Sequence, residues 1–333
     1  MKFSLRLNND HPVSTYLRLA QLAEDVGFNQ FWVSDDLFLR SAPVILSAAA
    51  QVTKTIELGT CIVNPYTLHP AEMAMMAATL DELSQGRFNL GISSGAGDFL
   101  GWVGITADQP RTAVVETVTA IRKLMRGEKA ELNGRFLKWS SEAYLRFTPQ
   151  REVPIYVGAM SPKMLQEIGR IADGGLPLLF PPEHYSNVMP HIIDGAAQAN
   201  RDLSEIDVAA CIWVSISDDY AAAEDVLREK IAYYGHAISP LILQQLGLAQ
   251  ADFSDIEHAI MRESDFEKAK ALVTPDMMQI GIAGSTDIII ERLNHLVTLG
   301  VRHISFGPPL GPDLESAITL LGKEVLPYFQ PQI

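Results

Sequence analysis

The sequence predicts an α/β fold, a (β/α)8 TIM barrel, from three observations. Short apolar strand-like runs alternate with helical segments, and eight such strand–helix units follow one another along the chain. Residues 56–100 read as strand, polar loop, helix, strand and polar loop, which is typical of a βαβ unit with parallel strands. No GxGxxG motif follows the first strand, which counts against a doubly wound open sheet, the alternative fold.

The predicted elements follow from apolar periodicity and from the residues that end each run. Strands are predicted at residues 3–7, 30–33, 56–63, 87–92, 153–157, 176–179, 207–215 and 302–306. Helices are predicted at residues 13–26, 42–52, 70–83, 111–125, 161–172, 182–200, 218–234, 286–299 and 311–326. Gly27 and Gly86 end two of these helices. Residues 98–109 are expected to form a loop, 173–175 to form a turn, and 307–309 to connect the last strand to the last helix.

Two segments are longer than plain connections. In residues 128–148, alternating runs flank Asn133-Gly134, a dipeptide that favours a tight hairpin turn. Residues 235–275 are acidic and helical without a strand pattern. We interpret both as insertions, at about 128–148 and 235–275, into one domain that covers residues 1–333.

Composition excludes several functions. The net charge is −14 and the pI is about 5.0, whereas nucleic-acid-binding surfaces are basic. Cys61 and Cys211 are far apart without a CxxC motif, which favours a reducing compartment. No apolar stretch approaches about 18 residues, and the N-terminus turns polar at Asn8. We therefore expect a cytoplasmic protein without nucleic-acid or membrane partners, and the lack of a metal-ligand motif predicts no bound metal.

Two groups of residues are candidates for a site. In Gly158–Lys163 a strand ends in small residues and a helix begins at Ser161-Pro162, so free amides and the Lys163 ammonium suit an anion. The alternative is an ordinary capped helix. Asp35, Asp36 and Asp98 follow predicted strands and are candidates for proton transfer, although loop aspartates often only form turns.

Four runs resemble the bacterial-luciferase-like superfamily, and within it the coenzyme F420-dependent 5,10-methylenetetrahydromethanopterin reductases. They are Phe31–Asp36, Gly59–Thr67, Ala78–Arg87 and Gly307–Asp313. The resemblance extends in order from residue 1 to 330. It implies a luciferase-like TIM-barrel domain and an F420-dependent oxidoreductase that moves a hydride between the coenzyme and a small organic substrate. It also implies a homodimer or a higher homo-oligomer.

The resemblance also implies a cofactor site at the C-terminal mouth of the barrel, with a non-prolyl cis peptide bond at Cys61-Ile62 behind the ring. The residues expected to bind the cofactor are Asp35, Cys61, Ile62, Val63, Asn64, Gly97, Gly158, Ala159, Met160, Ser161, Lys163, Gly174 and Gly175. Tyr66 would line the ring, and Gly158–Lys163 would receive the phosphate. The catalytic residues expected are Asp36, Asp98 and Arg6.

Three positions depart from the pattern of these reductases. Arg6 stands where they have a glutamate, Asp36 where many deazaflavin relatives have a histidine, and Leu68 where an arginine is usual. A guanidinium stays protonated and donates no proton, but it can hold a carboxylate or phosphate of the substrate. Two other functions therefore stay open: an FMN-dependent luciferase-like monooxygenase, and a non-catalytic flavin-binding protein.

Overall fold

The computed structural model describes residues 1–330, apart from the side chain of Asp98. Its strands are β1 Lys2–Leu7, β2 Gln30–Val33, β3 Glu57–Thr60, β4 Phe88–Ile92, β5 Leu132–Asn133, β6 Lys138–Trp139, β7 Ile155–Ala159, β8 Gly174–Pro177, β9 Asp207–Ile216, β10 Ile282–Gly284 and β11 His303–Leu310. The chain has the predicted (β/α)8 TIM-barrel fold.

The helices surround the strands and follow them in the order expected of this fold. They are α1 Val13–Asp25, α2 Ala42–Val52, α3 Pro70–Leu83, α4 Gly97–Trp102, α5 Pro110–Met125, α6 Pro162–Ile171, α7 Tyr185–Gln198, α8 Tyr220–Tyr234, α9 Pro240–Gln245, α10 Ser254–His258, α11 Phe266–Ala271, α12 Pro275–Met278, α13 Thr286–Thr298, α14 Leu314–Leu320 and α15 Leu326–Phe329. No described helix is both long and apolar enough to cross a membrane.

One compact unit comprises residues 4–177 and 187–209. Its strands β1, β2, β3, β4, β7 and β8 pair in parallel in this order. The rings of Trp32 on β2 and Tyr156 on β7 lie 5.0 Å apart, although two strands separate β2 from β7. The sheet therefore curves, and both rings lie on its concave inner face. A Cβ on Gly59 would lie 2.2 Å from the Trp32 ring, so glycine makes room for the indole.

The other compact unit comprises residues 1–3, 178–186 and the chain from 210 onward. In it β10 pairs in parallel with β9, Ile282 beside Val214. The 235–275 segment is helical, as predicted, and encloses an apolar cluster that includes Phe253 and Ile256. A Cβ on Gly235 would lie 2.1 Å from the Phe253 ring, so this segment packs closely on the end of α8.

The sequence pattern misplaced several boundaries. The predicted strand at 56–63 ends at Thr60, and the one at 153–157 lies two residues later, at Ile155–Ala159. The loop expected at 98–109 begins instead with helix α4, which is too short to show a periodicity and buries Leu100. Strand β10 was not predicted, because three residues are too few for an alternating pattern.

Two predicted connections, one of them a turn, lie within strands instead. Gly174 and Gly175 lie inside β8, where they leave room for neighbouring side chains rather than form a bend. The residues 307–309 lie inside β11, although proline usually ends a strand because it lacks an N–H. The predicted hairpin around Asn133-Gly134 is confirmed, with β5 and β6 antiparallel and Leu132 paired with Trp139.

Candidate active site

The ends of β3, β4 and β7 meet around Gly158. The Oγ of Ser93, just after β4, donates a hydrogen bond to the Gly158 carbonyl oxygen at 2.8 Å. A Cβ on Gly158 would lie 3.2 Å from both Ile62 Cγ2 and Ser93 Cβ, so the backbones approach closely only because Gly158 has no side chain. These contacts bring the predicted residues Ile62 and Gly158 together. Sequence reasoning missed Ser93, although it opens the glycine-rich run after β4.

The peptide bond Cys61-Ile62 is cis, as the resemblance implied. Both residues are partly exposed and so have surface available for a ligand. Val63 follows fully buried, and its backbone bridges to β4: Val63 N donates to the Gly91 carbonyl, and Ser93 N donates to the Val63 carbonyl. The segment after β3 is thereby fixed to the segment after β4.

Asn64 organises the next turn. Its side chain is 7% exposed, and its Oδ1 accepts hydrogen bonds from the backbone N–H groups of Tyr66 and Thr67, each at 3.1 Å. This is the local bonding that favours asparagine in turns. Gly95, at φ 76°, lies against it: a Cβ there would be 3.0 Å from Asn64 Cγ. The predicted residue Asn64 thus contacts the loop after β4.

The N-terminus of α6 is open toward solvent. Ser161 occupies the N-cap position, but its side chain makes no capping hydrogen bond. Met160, Ser161 and Lys163 are exposed, whereas Ala159 is buried at the end of β7. A helix N-terminus carries partial positive charge, and the Lys163 ammonium adds to it. This arrangement can bind an anion, and the Ser161 side chain does not cap the helix as the alternative expected.

Gly174 and Gly175 lie at the start of β8, next to β7. Gly174 pairs with Tyr156 in the β7–β8 register, and the loop beyond β7 begins only at Met160. Gly175 pairs with Val157, which directly precedes Gly158. A Cβ on Gly174 would lie 2.1 Å from the Tyr156 ring, and one on Gly175 2.7 Å from Ile168. Both glycines therefore make room for neighbouring side chains, and their part in cofactor binding stays a prediction.

The two aspartates after β2 have different surroundings. The Oδ1 of Asp35 accepts a hydrogen bond from Ala42 N at 2.9 Å and so fixes the start of α2. Burial raises the pKa of Asp35, and this hydrogen bond offsets part of the effect. The Oδ2 of Asp36 accepts from the Ser34 hydroxyl at 3.2 Å.

Asn9 is a second residue that sequence reasoning missed. It is fully buried, and its Nδ2 donates to the backbone carbonyls of Asp36 at 3.0 Å and of Arg40 at 2.6 Å. Asp36 N in turn donates to Asn9 Oδ1 at 3.3 Å. Asn9 therefore shapes the loop that carries Asp36, and the polar run Asn8-Asn9-Asp10 after the first strand was the available signal.

Arg6 lies on β1, beside Trp32 in the parallel register. Because neighbours in register point to the same face of a sheet, its side chain lies on the inner face with the Trp32 ring. It is 9% exposed. Gly97 and Asp98 begin α4, and the side chain of Asp98 lies outside the described residues.

A polar network lies at the opposite ends of the strands. Gln30 Nε2 donates to Glu57 Oε2 at 2.7 Å, and Asn89 Nδ2 donates to the same oxygen at 2.8 Å. The Tyr156 hydroxyl donates to Asp207 Oδ2 at 2.8 Å. Burial, followed by the charge of Asp207, raises the pKa of Tyr156. These groups begin their strands, so they stabilise the N-terminal side of the sheet, away from the loops described above.

In the described residues no three His, Cys, Asp or Glu side chains are grouped to hold a metal ion. The candidate site is therefore formed by the strand ends around Gly158 and by the backbone amides at the start of α6, and Asp36, Asp98 and Arg6 stay predicted members of it. Such a mouth at the C-terminal ends of barrel strands is where this class of fold places an active site.

Comparison with known proteins shows the family of the chain. The family model described as luciferase-like monooxygenase matches residues 1–303. A 5,10-methylenetetrahydromethanopterin reductase of Methanolobus tindarius is 35% identical over 327 residues, which cover 98% of this chain and 100% of that one. One from Archaeoglobus fulgidus is 33% identical over 333 residues, covering 98% and 99%.

A solved structure is similar throughout. The coenzyme F420-dependent tetrahydromethanopterin reductase from Methanopyrus kandleri superposes with a TM-score of 0.93 at 32% identity, covering 99% of both chains. The fold is that of an α/β-barrel enzyme, a class whose active sites lie at the C-terminal ends of the barrel strands. The chain belongs to the luciferase-like monooxygenase family.

Proposed function

We propose that this chain is an F420-dependent oxidoreductase that moves a hydride between the coenzyme and a small organic substrate, as a methylenetetrahydromethanopterin reductase does. The observation that carries the proposal is the meeting of three strand ends at Gly158, next to the open N-terminus of α6. The reductases that are 33–35% identical over nearly the whole chain support it.

The residues present fit a tricyclic ring with a phosphate tail. Cys61 and Ile62 are partly exposed at the end of β3 and offer an apolar surface for one face of a ring. The exposed Lys163 and the amides at the start of α6 offer positive charge for a phosphate. Gly158 lets these two parts lie close together, because a side chain there would press on Ile62.

Each group in the site has a proposed role. When bound, the coenzyme supplies or accepts a hydride. Cys61, Ile62 and Val63 support the ring, and Asn64 fixes the turn beside it. Gly97, at the start of α4, is proposed to contribute from the segment after β4. The run Gly158, Ala159, Met160, Ser161 and Lys163 holds the phosphate. Placement of this kind is how a protein contributes to hydride transfer.

The substrate side is assigned to three residues. Asp36 and Asp98 are the proposed proton-transfer groups, and the Ser34 hydroxyl orients Asp36. Arg6 donates no proton but, on the inner face of the sheet, can hold an anionic group of the substrate. Because Arg6 stands where the similar reductases have a glutamate, experiments are needed to identify the substrate and the direction of the reaction.

An FMN-dependent monooxygenase is the second candidate. The observation that favours it is the description of the matching family model as a luciferase-like monooxygenase. FMN has a tricyclic ring and a phosphate, so the same strand ends and the same helix N-terminus would receive it. A non-catalytic flavin-binding protein would bind the cofactor and show no turnover.

Location and assembly belong to the same proposal. Two cysteines without a CxxC motif support a protein of a reducing compartment such as the cytoplasm. The resemblance to oligomeric barrels supports a homodimer. Sedimentation at several protein concentrations would test the dimer, and a single monomeric species at all of them would contradict it.

The direct test of activity is a turnover assay. Purified protein is mixed with reduced F420 and methylenetetrahydromethanopterin, and the absorbance of oxidised F420 is followed. We expect oxidised F420 to appear only when the protein and methylenetetrahydromethanopterin are both present with the reduced coenzyme. Tight coenzyme binding without turnover on a panel of small substrates would contradict the enzymatic proposal.

A further inference from the structure

The hairpin β5–β6 is fixed to α5 by one carboxylate. Glu116 accepts hydrogen bonds from the backbone N–H groups of Arg135 at 2.9 Å, Phe136 at 2.9 Å and Leu137 at 2.8 Å. A Cβ on Gly134 would lie 2.1 Å from a Glu116 carboxylate oxygen, so the hairpin can lie this close to Glu116 only with glycine at position 134. Three donors on one charged acceptor give the hairpin tip a defined position.

The hairpin in turn holds Tyr66. The rings of Phe136 and Tyr66 lie 5.5 Å apart at 75°, an edge-to-face pair. The Tyr66 hydroxyl donates to the Asp108 carbonyl oxygen at 2.7 Å. Tyr66 is therefore held at its ring by the hairpin and at its hydroxyl by the loop before α5.

Tyr66 belongs to the turn beside the proposed cofactor site. Its backbone N–H donates to Asn64 Oδ1, and Asn64 follows Val63, whose carbonyl accepts from Ser93 N. The contacts are thus continuous from the hairpin to the ends of β3 and β4. A substitution at Phe136 can therefore affect the proposed cofactor site through these contacts.

We propose that Phe136 is a positioning residue, which acts through Tyr66 to hold the Val63–Thr67 loop in the conformation that binds the coenzyme. This inference rests on the proposed function. It gives the 128–148 segment a role in cofactor affinity. If the loop becomes ordered only when the coenzyme binds, the free energy needed to order it weakens binding.

The first test compares coenzyme affinity by titration with F420. Phe136→Leu is expected to raise the Kd about three- to tenfold, the range for losing one aromatic pair. Phe136→Tyr keeps the ring and should restore the wild-type Kd. Phe147→Leu is the matched control in the same segment, since the Phe147 side chain is 41% exposed. At saturating coenzyme, kcat should be the same in all four proteins.

The second test needs no coenzyme. Hydrogen exchange of the Tyr66 and Thr67 amides should be faster in Phe136→Leu than in the wild type and in Phe147→Leu, while exchange of the α3 amides stays unchanged. If Phe136→Leu fails to fold, Tyr66→Phe takes its place. This variant removes only the hydroxyl contact with Asp108 and should show the same local increase in exchange.

The outcomes separate the two proposals. If the wild type does not bind F420, the proposed function fails, and the exchange experiment still decides the role of Phe136. Unchanged exchange at Tyr66 and Thr67 in a folded Phe136→Leu protein would overturn the inference. So would an unchanged Kd, or an equal loss of affinity in the Phe147→Leu control.

Discussion

Ser93 and Gly158 join two strand ends through one hydrogen bond, in which Ser93 Oγ donates to the Gly158 carbonyl oxygen at 2.8 Å. The same pair sets a steric limit, because a Cβ on Gly158 would lie 3.2 Å from Ser93 Cβ and 3.2 Å from Ile62 Cγ2. Ile62 supports the ring in the proposed function, and the phosphate-binding run begins at Gly158. The geometry at Gly158 therefore couples both halves of the proposed cofactor site.

Gly158→Ala should weaken F420 binding. The added methyl group forces Ile62 or Ser93 to move by a few tenths of an ångström, and overpacking of this kind costs about 1–3 kcal/mol. We expect the Kd measured by titration to rise at least about fivefold. Gly101→Ala is the matched control, since a Cβ there has no atom within 4 Å. Equal Kd values for the two variants would contradict the assignment of Gly158.

Lys163→Gln tests the phosphate site. Charge-assisted hydrogen bonds contribute about 1.5–3 kcal/mol, so the Kd for F420 should rise by roughly one order of magnitude or more. A deazaflavin that lacks the phosphate should bind wild type and variant equally well. Lys54→Gln, at an exposed lysine elsewhere, is the control. A loss of affinity that is the same with and without the phosphate would show that Lys163 acts on another part of the ligand.

Arg6→Gln tests the substrate side. If Arg6 holds an anionic group of the substrate, the variant should raise the substrate KM about tenfold or more and leave the F420 Kd unchanged. The control measurement is the thermal midpoint, which reports whether the barrel tolerates the substitution. A higher F420 Kd with an unchanged substrate KM would place Arg6 at the cofactor instead.

Glu24 should make stability depend on pH in the acid range. Burial alone would raise its pKa, but hydrogen bonds from Ile56 N, Thr55 N and Lys54 N lower it from 4.5 to about 2. A group with a lowered folded-state pKa stabilises the fold above its unfolded pKa, and this stability is lost as the pH falls from about 4.5 to 2.

The matching variant is Glu24→Gln. At pH 7 it should lower the free energy of urea unfolding by about 1–3 kcal/mol, because a charged acceptor of several N–H groups is lost. The difference from wild type should shrink as the pH falls toward 3. A difference that stays constant with pH would show that the charge of Glu24 does not stabilise the segment that leads into β3.

The sequence predicted most of the fold because apolar periodicity and turn residues are local signals. The bounds of β2, α2 and α3 are confirmed to the residue. Gly174 and Gly175 were wrongly expected to form a turn, because a glycine indicates only that space is limited or the backbone unusual. Here the limiting atoms belong to Tyr156 and Ile168. Tyr156 is distant in sequence from Gly174, so no local pattern contains that contact.

The candidate site was predictable only in part. The run Gly158–Lys163 could be recognised because a strand end and a helix start are adjacent in sequence. Ser93 and Asn9 escaped because their roles are hydrogen bonds to carbonyls 65 and 27 residues away. The roles of Asp36, Asp98 and Arg6 depend on the bound substrate, and they stay predictions until the variants are measured.

The most direct test of the account is a side-by-side titration of the purified wild-type protein with F420 and FMN under identical conditions. Binding is followed by the fluorescence of each cofactor. The account predicts saturable binding of F420 at micromolar concentration or below, and clearly weaker binding of FMN. Tighter binding of FMN, or no binding of F420 at micromolar concentration, would contradict it.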